Sequence, residues 1–397
     1  MAFLSRHKRS SRDDFAREMA RLVREITGVK PQIRPDFSLS IVSRDVTMNL
    51  ENIFAECARR EPAERLELMR RAIRGVFDHP PKPTTWAEAA PRLMPAVRAT
   101  SVAALAGRDG AIRRQLVPFV QLMCAIDFPD SMTFATESDL KTWGVSQTEA
   151  EQAAGANLVA NAIDLAVVGP VATILGPDGY CTSWLATPAT LWPMVSKLFG
   201  HDSVIIPVSR DHVKIVDTSD PKVICRQLTD ALAAFPEEPR QVSPVPYLIR
   251  EDHIETWDPP PDHPAVPLIQ HAERLLALVE YERQKDVLQG LSDKTGEDVF
   301  VGGYVLMERP DGSVWSWTGW SSRVTNGLMP QADYICAGTD EQAADMFFVP
   351  WKSAMAIAGE YLVREPGYDP PRWRYRGWPD ATTMNLLRKQ AVDPTKS

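Results

Sequence analysis

Four polar residues of this sequence have side chains that could do acid–base chemistry if the fold brings them together. Asp127 follows an apolar run, Asp178 lies in the turn sequence Gly-Pro-Asp-Gly, and Asp211 and His212 lie in a second turn. Carboxylates beside a histidine can act as general acid and base, and their oxygens can also hold a divalent cation. The alternative is structural, because aspartate in such turns commonly hydrogen-bonds its own backbone. These four are our catalytic candidates if the chain is an enzyme. The same polar constellation includes Asp130, Tyr180 and Arg210, and Arg98 is a further candidate beside it.

The chain contains none of the short motifs that identify common enzyme classes. The glycine-rich phosphate loops Gly-x-x-x-x-Gly-Lys-Ser/Thr and Gly-x-Gly-x-x-Gly do not occur. The nucleophile motif Gly-x-Ser-x-Gly and the zinc motif His-Glu-x-x-His do not occur either. We therefore predict no cofactor and no metal. A hydrolase that uses the Asp/His site remains an alternative, because catalytic geometry does not require a fixed sequence spacing.

Tryptophan and arginine interleave at two places near the C-terminal end of the chain. Trp315 and Trp317 are two residues apart, which in a strand places both rings on one face. Such a face could stack on a ligand or a partner, or could build an aromatic core under a helix. The second place supplies the binding candidates Arg372, Trp373, Arg374 and Arg376. Closely spaced arginines are hard to bury without acids, so we expect either an exposed protein-contact surface or an intramolecular clamp across the domain boundary.

Two hairpins must position the acidic candidates. Residues 171–175 and 180–185 are strand candidates on either side of the first turn. Residues 204–208 and 213–216 flank the second turn in the same way. If the hairpins share a sheet, both acidic turns lie at one end of it.

The remaining apolar patterns place helices and antiparallel hairpins in separate groups. Phe15, Met19 and Leu22 recur at helical spacing, and a strand pair is predicted at 37–48. Ser146 and Glu149 match a capping box that opens an alanine-rich helix. This segregation favours an α+β fold with helices packed on mixed, mostly antiparallel sheets, in two main domains.

Two proline-rich stretches predict joints between parts of the chain, because proline breaks both helices and sheets. They lie at 78–83 and 257–264. We expect an N-terminal α-β-β-α subdomain at 1–80, an α+β core at 84–257 and a Trp/Arg-rich α+β domain at 268–397.

Composition and charge restrict the classes of protein. The chain has 397 residues, a net charge of −8, 44% hydrophobic residues and 24% charged residues. These values exclude a disordered chain, a collagen-like fibre and a membrane bundle, and the acidic balance disfavours nucleic acid as a partner. Five cysteines without a Cys-x-x-Cys pair predict free thiols in a reducing compartment, hence the cytoplasm. Cys181 is the one thiol that follows a turn, and a buried strand position is the alternative to a reactive one.

Residues from about 12 to 257 resemble the YtpQ-like family of bacterial proteins, a domain of unknown function. The pieces that carry the resemblance keep the order and approximate separations of the family, and they lie at 94–98, 125–127, 140–158, 178–180, 206–211 and 244–247. The resemblance implies an α+β fold and brings no established activity, cofactor or catalytic residue. The C-terminal domain resembles no family that we identify from its sequence.

Our leading functional hypothesis is a cytoplasmic bacterial protein that acts as a protein-binding or adaptor module without catalytic activity. Its basis is the absence of catalytic motifs together with the Trp/Arg content of the C-terminal domain. The alternatives are the hydrolase and a small-ligand sensor with a pocket between the two large domains. The sequence predicts a protein partner and no membrane association, and it does not predict the oligomeric state.

Overall fold

The protein is described by a computed structural model that covers residues 2–41, 46–58, 60–77, 80–101, 110–129, 131–176, 179–200, 202–296, 298–339, 345–375 and 377–396. The chain forms two compact units, and each unit contains several chain segments. Unit 1 comprises Met1–Pro95, Cys124–Asn161 and Glu237–Gln241, and unit 2 comprises Ala96–Met123, Ala162–Pro236 and Val242–Ser397. These units group the chain differently from the three domains expected from the proline-rich stretches.

The helices and strands are as follows. The α-helices are α1 (Ala2–Thr27), α2 (Glu51–Cys57), α3 (Pro62–Phe77), α4 (Trp86–Ala89), α5 (Glu137–Trp143), α6 (Gln147–Ala160), α7 (Pro188–Phe199), α8 (Pro221–Ala234), α9 (Val266–Thr295), α10 (Trp351–Ala358) and α11 (Ala381–Lys389). The first strands are β1 (Gln32–Ile33), β2 (Ser38–Ile41), β3 (Val46–Asn49), β4 (Leu93–Ala99), β5 (Arg113–Val117), β6 (Val120–Asp127), β7 (Met132–Phe134), β8 (Asp164–Val168), β9 (Val171–Leu175), β10 (Ser203–Pro207) and β11 (Val213–Asp217). The remaining strands are β12 (Tyr247–Ile249), β13 (Ile254–Thr256), β14 (Phe300–Val301), β15 (Val305–Glu308), β16 (Val314–Ser321), β17 (Gly327–Pro330), β18 (Tyr334–Gly338), β19 (Phe347–Pro350), β20 (Leu362–Glu365) and β21 (Arg372–Tyr375).

The core of unit 1 confirms the predicted apolar stripe. Phe15, Met19 and Leu22 of α1 are buried and pack with the three-stranded sheet β1-β2-β3 and with helix α3. Strands β2 and β3 are antiparallel, with Leu39 opposite Met48, as the alternating sequence predicts. The predicted capping box is also present, because Ser146 accepts a hydrogen bond from the backbone of Glu149 and the Glu149 side chain accepts one in return.

A six-stranded antiparallel sheet with the order β13-β12-β10-β11-β9-β8 lies in unit 2. It contains the predicted strands at 171–175, 204–208 and 213–216. The strand predicted at 180–185 is wrong, because Cys181–Ala186 is a 3-10 helix that leads directly into α7. All of residues 181–185 are buried, so the apolar pattern there reflects a buried turn and not the alternation of a half-buried strand.

The C-terminal part of unit 2 contains two four-stranded sheets, β14-β17-β21-β20 and β15-β16-β18-β19. Most neighbouring strands are antiparallel, while β14 pairs with β17 and β16 pairs with β18 in parallel. Their shared core includes Trp320, Met329 and Ile335 together with Ala354 of α10 and Leu387 of α11. The chain is therefore α+β with mixed, mostly antiparallel sheets, as predicted. Among the described residues, no helix combines the length and the apolar character that a membrane span requires.

Candidate functional site

The catalytic candidates are distributed over the two units of the structure. Asp127 is the last residue of β6 and belongs to unit 1, whereas Asp211 and His212 belong to the β10–β11 turn of unit 2. Asp178 lies outside the described residues. Among the described residues, no group of three or more histidine, cysteine, aspartate or glutamate side chains is arranged to hold a metal ion.

The two turns of unit 2 do meet, through a contact that has a structural role. A carboxylate oxygen of Asp211 accepts a hydrogen bond from the backbone N–H of Gly179, at 2.5 Å. The backbone N–H of His212 donates to the hydroxyl of Ser209, which closes its own turn. Thr182 donates from its hydroxyl to the carbonyl of Ser209 and so fixes the 3-10 helix against the same turn. Asp211 therefore satisfies a backbone donor, as in the structural alternative, but the donor belongs to the neighbouring turn and not to its own.

The aromatic candidates of β16 pack against neighbouring strands. Trp315 is 4% exposed and meets the rings of Tyr334 and Phe348 edge to face, with ring centroids 5.7 and 5.4 Å apart. Trp317 is partly buried and meets Phe348 in the same way at 5.8 Å. Edge-to-face geometry stabilises aromatic pairs. Trp315 therefore belongs to an aromatic core, which was one of the two alternatives for this strand.

The expected exposed surface at 372–376 requires correction at its first residue. Arg372 is fully buried, and Trp373 is partly buried with its ring against Trp351 at 5.0 Å. Arg374 is partly exposed and pairs with Glu365 through two nitrogens, at 2.9 and 3.1 Å. Arg376 lies outside the described residues. Strand β21 pairs with β17 on one side and with β20 on the other. Successive side chains of a strand point to opposite faces of the sheet, so Arg372 and Trp373 have different surroundings.

Arg372 acts as an intramolecular clamp, but all of its partners lie within the predicted domain 268–397, so it does not cross the domain boundary as expected. Its guanidinium donates to the side chain of Gln284 at 2.6 Å and to backbone carbonyl oxygens of Tyr281, Gly302 and Leu328. These four acceptors are uncharged, and burial lowers the pKa of Arg372 to about 10. The clamp therefore holds α9 to β21, and Tyr281 is one of the residues whose position it fixes.

Tyr281 lines a cavity of about 680 Å³ that lies entirely within unit 2. We call it the aromatic–polar cavity. Its lining residues come from β5 and the β5–β6 turn, helix α9, the residue before β15, strand β16, the β17–β18 connection, strand β20 and the segment between β20 and β21. They are Gln115, Pro118, Phe119, Glu273, Arg274, Ala277, Tyr281, Tyr304, Ser316, Gln331, Ala332, Asp333, Arg364, Tyr368, Asp369 and Pro371.

One wall of the aromatic–polar cavity is an apolar cluster built on helix α9. Tyr281 and Tyr304 are buried and stack, with ring centroids 5.5 Å apart and planes inclined by 20°. Phe119 meets Tyr281 edge to face at 6.0 Å, and Ala277 and Ala332 complete the cluster. The backbone of Phe119 has φ of 63°, a left-handed value that is uncommon for a non-glycine residue and that helps aim the ring at α9.

The hydroxyl of Tyr281 links two further walls. It donates to the carbonyl oxygen of Pro371 at 3.0 Å and accepts from the backbone N–H of Gln331 at 3.2 Å. Burial raises the pKa of Tyr281 to about 12, so the phenol keeps its proton near neutral pH. The ring is therefore held on both its face and its polar end.

The polar wall is centred on an ion pair. Arg274 donates to the two carboxylate oxygens of Asp333, from Nε at 2.7 Å and from Nη2 at 3.2 Å. Asp333 also accepts from the backbone N–H and the hydroxyl of Ser316, each at 2.8 Å. A two-pronged arginine–carboxylate pair has a defined geometry as well as favourable energy. The charges of Arg274 and Asp333 are thus matched within the protein.

Two other carboxylates line the aromatic–polar cavity. Asp369 is partly buried, and burial raises its pKa, opposed by the nearby charges of Arg113 and Arg364. Glu273 remains exposed at the cavity, and partial removal of water by the walls likewise raises its pKa. A raised pKa indicates that the ionised form is less well solvated than in water.

Comparisons with protein-family models, with curated proteins and with solved structures find no match for this chain. The residues of the cavity were not predicted from the sequence as a site. Apolar helical spacing marks Ala272, Leu276 and their neighbours on α9 as core, but it carries no signal that Tyr281 borders a cavity. Ser316 lies between Trp315 and Trp317, the two tryptophans that the sequence singled out as a candidate binding strand. This neighbourhood is the one sequence feature that indicated a residue of the cavity.

Proposed function

We propose that this chain binds a small molecule in the aromatic–polar cavity. The observation that carries the proposal is the combination of its volume, about 680 Å³, with an apolar wall and a few fixed polar groups. Small-molecule sites commonly occupy about 300–1,000 Å³ and show this combination. The small-ligand sensor among our sequence-based alternatives is the function that this geometry supports best.

The state of the wall residues also favours binding over chemistry. Arg274, Asp333 and Ser316 are bonded to one another, so they are held in place before a ligand arrives. Among the described residues that line the cavity, none is a histidine or a cysteine, the usual proton carriers and nucleophiles near neutral pH. Preorganised polar groups give a binding site its specificity.

The experiment is thermal unfolding of the purified chain with a panel of metabolites grouped by charge and size. A ligand at about 100 times its dissociation constant stabilises the folded state by about 2.7 kcal/mol. For a unit of this size, such a change raises Tm by about 5 °C or more. We expect at least one chemical group of the panel to give a shift of this order.

Variants that fill the cavity identify where the ligand binds. Ala277→Leu and Ala332→Leu each extend a buried side chain that lines the aromatic–polar cavity. Ala233→Leu is the control, because Ala233 is exposed on helix α8 and does not line the cavity. The shift should disappear in both cavity variants and persist in the control. A panel without any shift, or a shift that survives both cavity variants, contradicts the proposal.

The remaining sequence-based interpretations are separate proposals. A cytoplasmic location is supported by five cysteines that are present as thiols, four of them buried. Among the described binding candidates, Trp317, Trp373 and Arg374 keep exposed parts that a protein partner could contact, whereas Trp315 and Arg372 are buried. Relationship to the YtpQ-like family is supported by the six sequence pieces. Pull-down with Trp373→Ala and Arg374→Ala variants tests the partner directly.

A further inference from the structure

The hairpin that joins β5 to β6 has two backbone irregularities, and both involve residues that line the aromatic–polar cavity. The pairing of β5 with β6 shifts register between Gln115 and Val117, which is typical of a β-bulge. Two residues further on, Phe119 has φ of 63°. Gln115 and Phe119 both line the cavity. Bulges redirect the side chains beside them and are frequent next to functional sites, so the shape of this hairpin indicates a side chain that is aimed on purpose.

Phe119 occupies a turn position that normally takes a smaller residue. Val117 pairs with Val120, so Pro118 and Phe119 are the two central residues of the turn. A proline followed by a residue with positive φ is the pattern of a type II turn, in which glycine or asparagine favours the second place. A bulky side chain at this place strains the backbone. Such strain persists only where the surroundings hold it, and it is concentrated at functional sites.

The packing of Phe119 within the protein uses only part of its ring. The ring meets Tyr281 edge to face, and the side chain is partly buried against the apolar cluster of the cavity. Burial stabilises a fold in proportion to the apolar area that is removed from water. A partly buried ring therefore gives the fold less than a core phenylalanine would, while its position strains the backbone. The uncovered part of the ring lies at the cavity, where a ligand would cover it.

The other aromatic rings that line the cavity are less suited to contact a ligand. Tyr281 and Tyr304 are buried and stack on each other. The guanidinium carbon of Arg372 also lies over the ring of Tyr281, 5.3 Å from its centroid. Tyr368 is partly buried like Phe119, but its backbone is not in the left-handed region. Among the described lining residues, Phe119 is thus the ring that combines uncovered surface with a backbone distorted to present it.

We propose that Phe119 is a specificity-determining residue of the aromatic–polar cavity, and that the ligand carries an aromatic ring which packs on the ring of Phe119. This inference rests on the proposed function, because it names the chemical class of the molecule that the same cavity binds. Attraction between two aromatic rings, beyond the area that they bury, corresponds to about 2-fold to 12-fold in affinity. A saturated ring of the same size buries a similar area without this gain.

Two neutral probes with the same skeleton test whether the ligand ring must be aromatic. 2-Phenylethanol has a flat aromatic ring, and 2-cyclohexylethanol has a saturated ring. The saturated ring is the more hydrophobic of the two, so a cavity that only removes apolar surface from water would favour 2-cyclohexylethanol. We expect 2-phenylethanol to bind about 3-fold more tightly or better, measured by calorimetry and by the shift in Tm.

Phe119→Leu tests which residue is responsible for this preference. Leucine keeps an apolar side chain but removes the aromatic ring, so the preference for 2-phenylethanol should disappear. Leu278→Ala is the matched control, because Leu278 is also partly buried against the apolar cluster but does not line the cavity. This control should keep the preference of the wild type. Tyr368→Leu removes the other partly buried ring and should keep the preference as well.

Phe119→Gly and Phe119→Ala test whether the turn is strained. Both variants remove the ring, but glycine adopts positive φ without a steric cost and alanine does not. We expect Phe119→Gly to have a Tm at least as high as that of Phe119→Ala, although both lose the preference for the aromatic probe. A Tm that is lower in Phe119→Gly than in Phe119→Ala would show that the turn is not strained, and the inference would then lose its basis.

The outcomes distinguish this inference from the proposed function. The inference is wrong if 2-cyclohexylethanol binds as tightly as 2-phenylethanol, or if the preference survives Phe119→Leu. Binding of 2-phenylethanol that persists in Ala277→Leu takes place outside the cavity and also overturns it. If the probes give no stabilisation while the wider metabolite panel does, the inference fails and the proposed function stands. If neither the probes nor the panel give a shift, both fail.

Discussion

Replacing Arg372 by methionine tests whether this residue is a structural clamp or a surface contact. Methionine retains an unbranched side chain but removes all of the donors. Four acceptors then lose the hydrogen bond from Arg372; they are the side chain of Gln284 and the carbonyl oxygens of Tyr281, Gly302 and Leu328. The carbonyl oxygen of Leu328 keeps the hydrogen bond that it accepts from the backbone N–H of Gly302. Because Arg372 is fully buried, water is not at hand to replace these bonds.

The expected change in the free energy of unfolding of Arg372→Met is the sum of two opposing contributions. A buried acceptor that loses its only donor costs about 1–3 kcal/mol. The carbonyl oxygen of Leu328 costs less than this, because it keeps the backbone N–H of Gly302 as a donor. Removing the buried guanidinium offsets part of this loss, because taking such a charge out of water costs several kcal/mol. We expect the free energy of unfolding to fall by about 3 kcal/mol. For a unit of this size, Tm then falls by about 6 °C or more.

Arg374→Met is the matched control, since Arg374 lies two residues along the same strand and is partly exposed. Its pair with Glu365 keeps 28% and 27% of the two side chains exposed. Exposed or half-exposed pairs of this kind contribute about 0–1 kcal/mol. Unfolding by heat and by denaturant, followed by tryptophan fluorescence, measures both variants. If Arg372→Met loses no more stability than Arg374→Met, the clamp interpretation is refuted.

Two further predictions concern carboxylates of unit 2. The folded protein raises the pKa of Asp369 above its ordinary value of 3.8. Between the pKa of the unfolded chain and the higher pKa of the folded state, the folded state therefore binds more protons than the unfolded chain. The free energy of unfolding should therefore fall as the pH rises through that range. Chemical unfolding at a series of pH values should show a weaker fall for Asp369→Asn than for the wild type. An identical pH profile for the two proteins would contradict this prediction. Glu280 is fully buried and accepts from the backbone N–H and the hydroxyl of Ser101, at 2.7 and 3.0 Å. Glu280→Ala should lower the free energy of unfolding by about 3 kcal/mol, because it leaves buried donors unpaired, and the same denaturation measurement with Ser101→Ala should show a smaller loss. A Glu280→Ala protein as stable as the wild type would show that the buried carboxylate is not needed.

Local signals were sufficient for the elements whose formation depends on neighbouring residues. The capping box at Ser146, the hairpin of β2 with β3 and the strands on either side of the β10–β11 turn all follow from residues within a few positions of one another. The same local reasoning supported the α+β class, because helical and alternating patterns were clearly separated along the chain. It failed at 180–185, where a continuous buried run forms a 3-10 helix.

The burial of Arg372 could not be read from its own neighbourhood. A sequence that alternates arginine with aromatic residues is typical of both an exposed contact and a buried clamp. The acceptors that decide the matter lie 44 to 91 residues away along the chain. Which residues pack against a strand is a property of the tertiary fold, and short-range periodicity does not contain it.

The cavity was unpredictable for the same reason. Its walls come from residues 115–119, 273–281, 304–333 and 364–371, and none of these segments contains a recognisable motif. The sequence analysis selected the acidic turns at 178 and 211 as catalytic candidates, because carboxylate and imidazole side chains can carry out acid–base chemistry. The described contact between Asp211 and Gly179 shows that a versatile side chain can serve the backbone instead.

The turn that carries Phe119 has a practical consequence for anyone who wishes to dissect this protein. Phe119 rests on Tyr281, although 162 positions along the polypeptide separate them. A fragment that begins near residue 268 would lack Phe119 and its contact with Tyr281. The complementary N-terminal fragment would contain Phe119 without the Tyr281 ring against which it packs. Expression designs that cut the chain at the proline-rich stretch 257–264 would therefore separate residues that together line the aromatic–polar cavity.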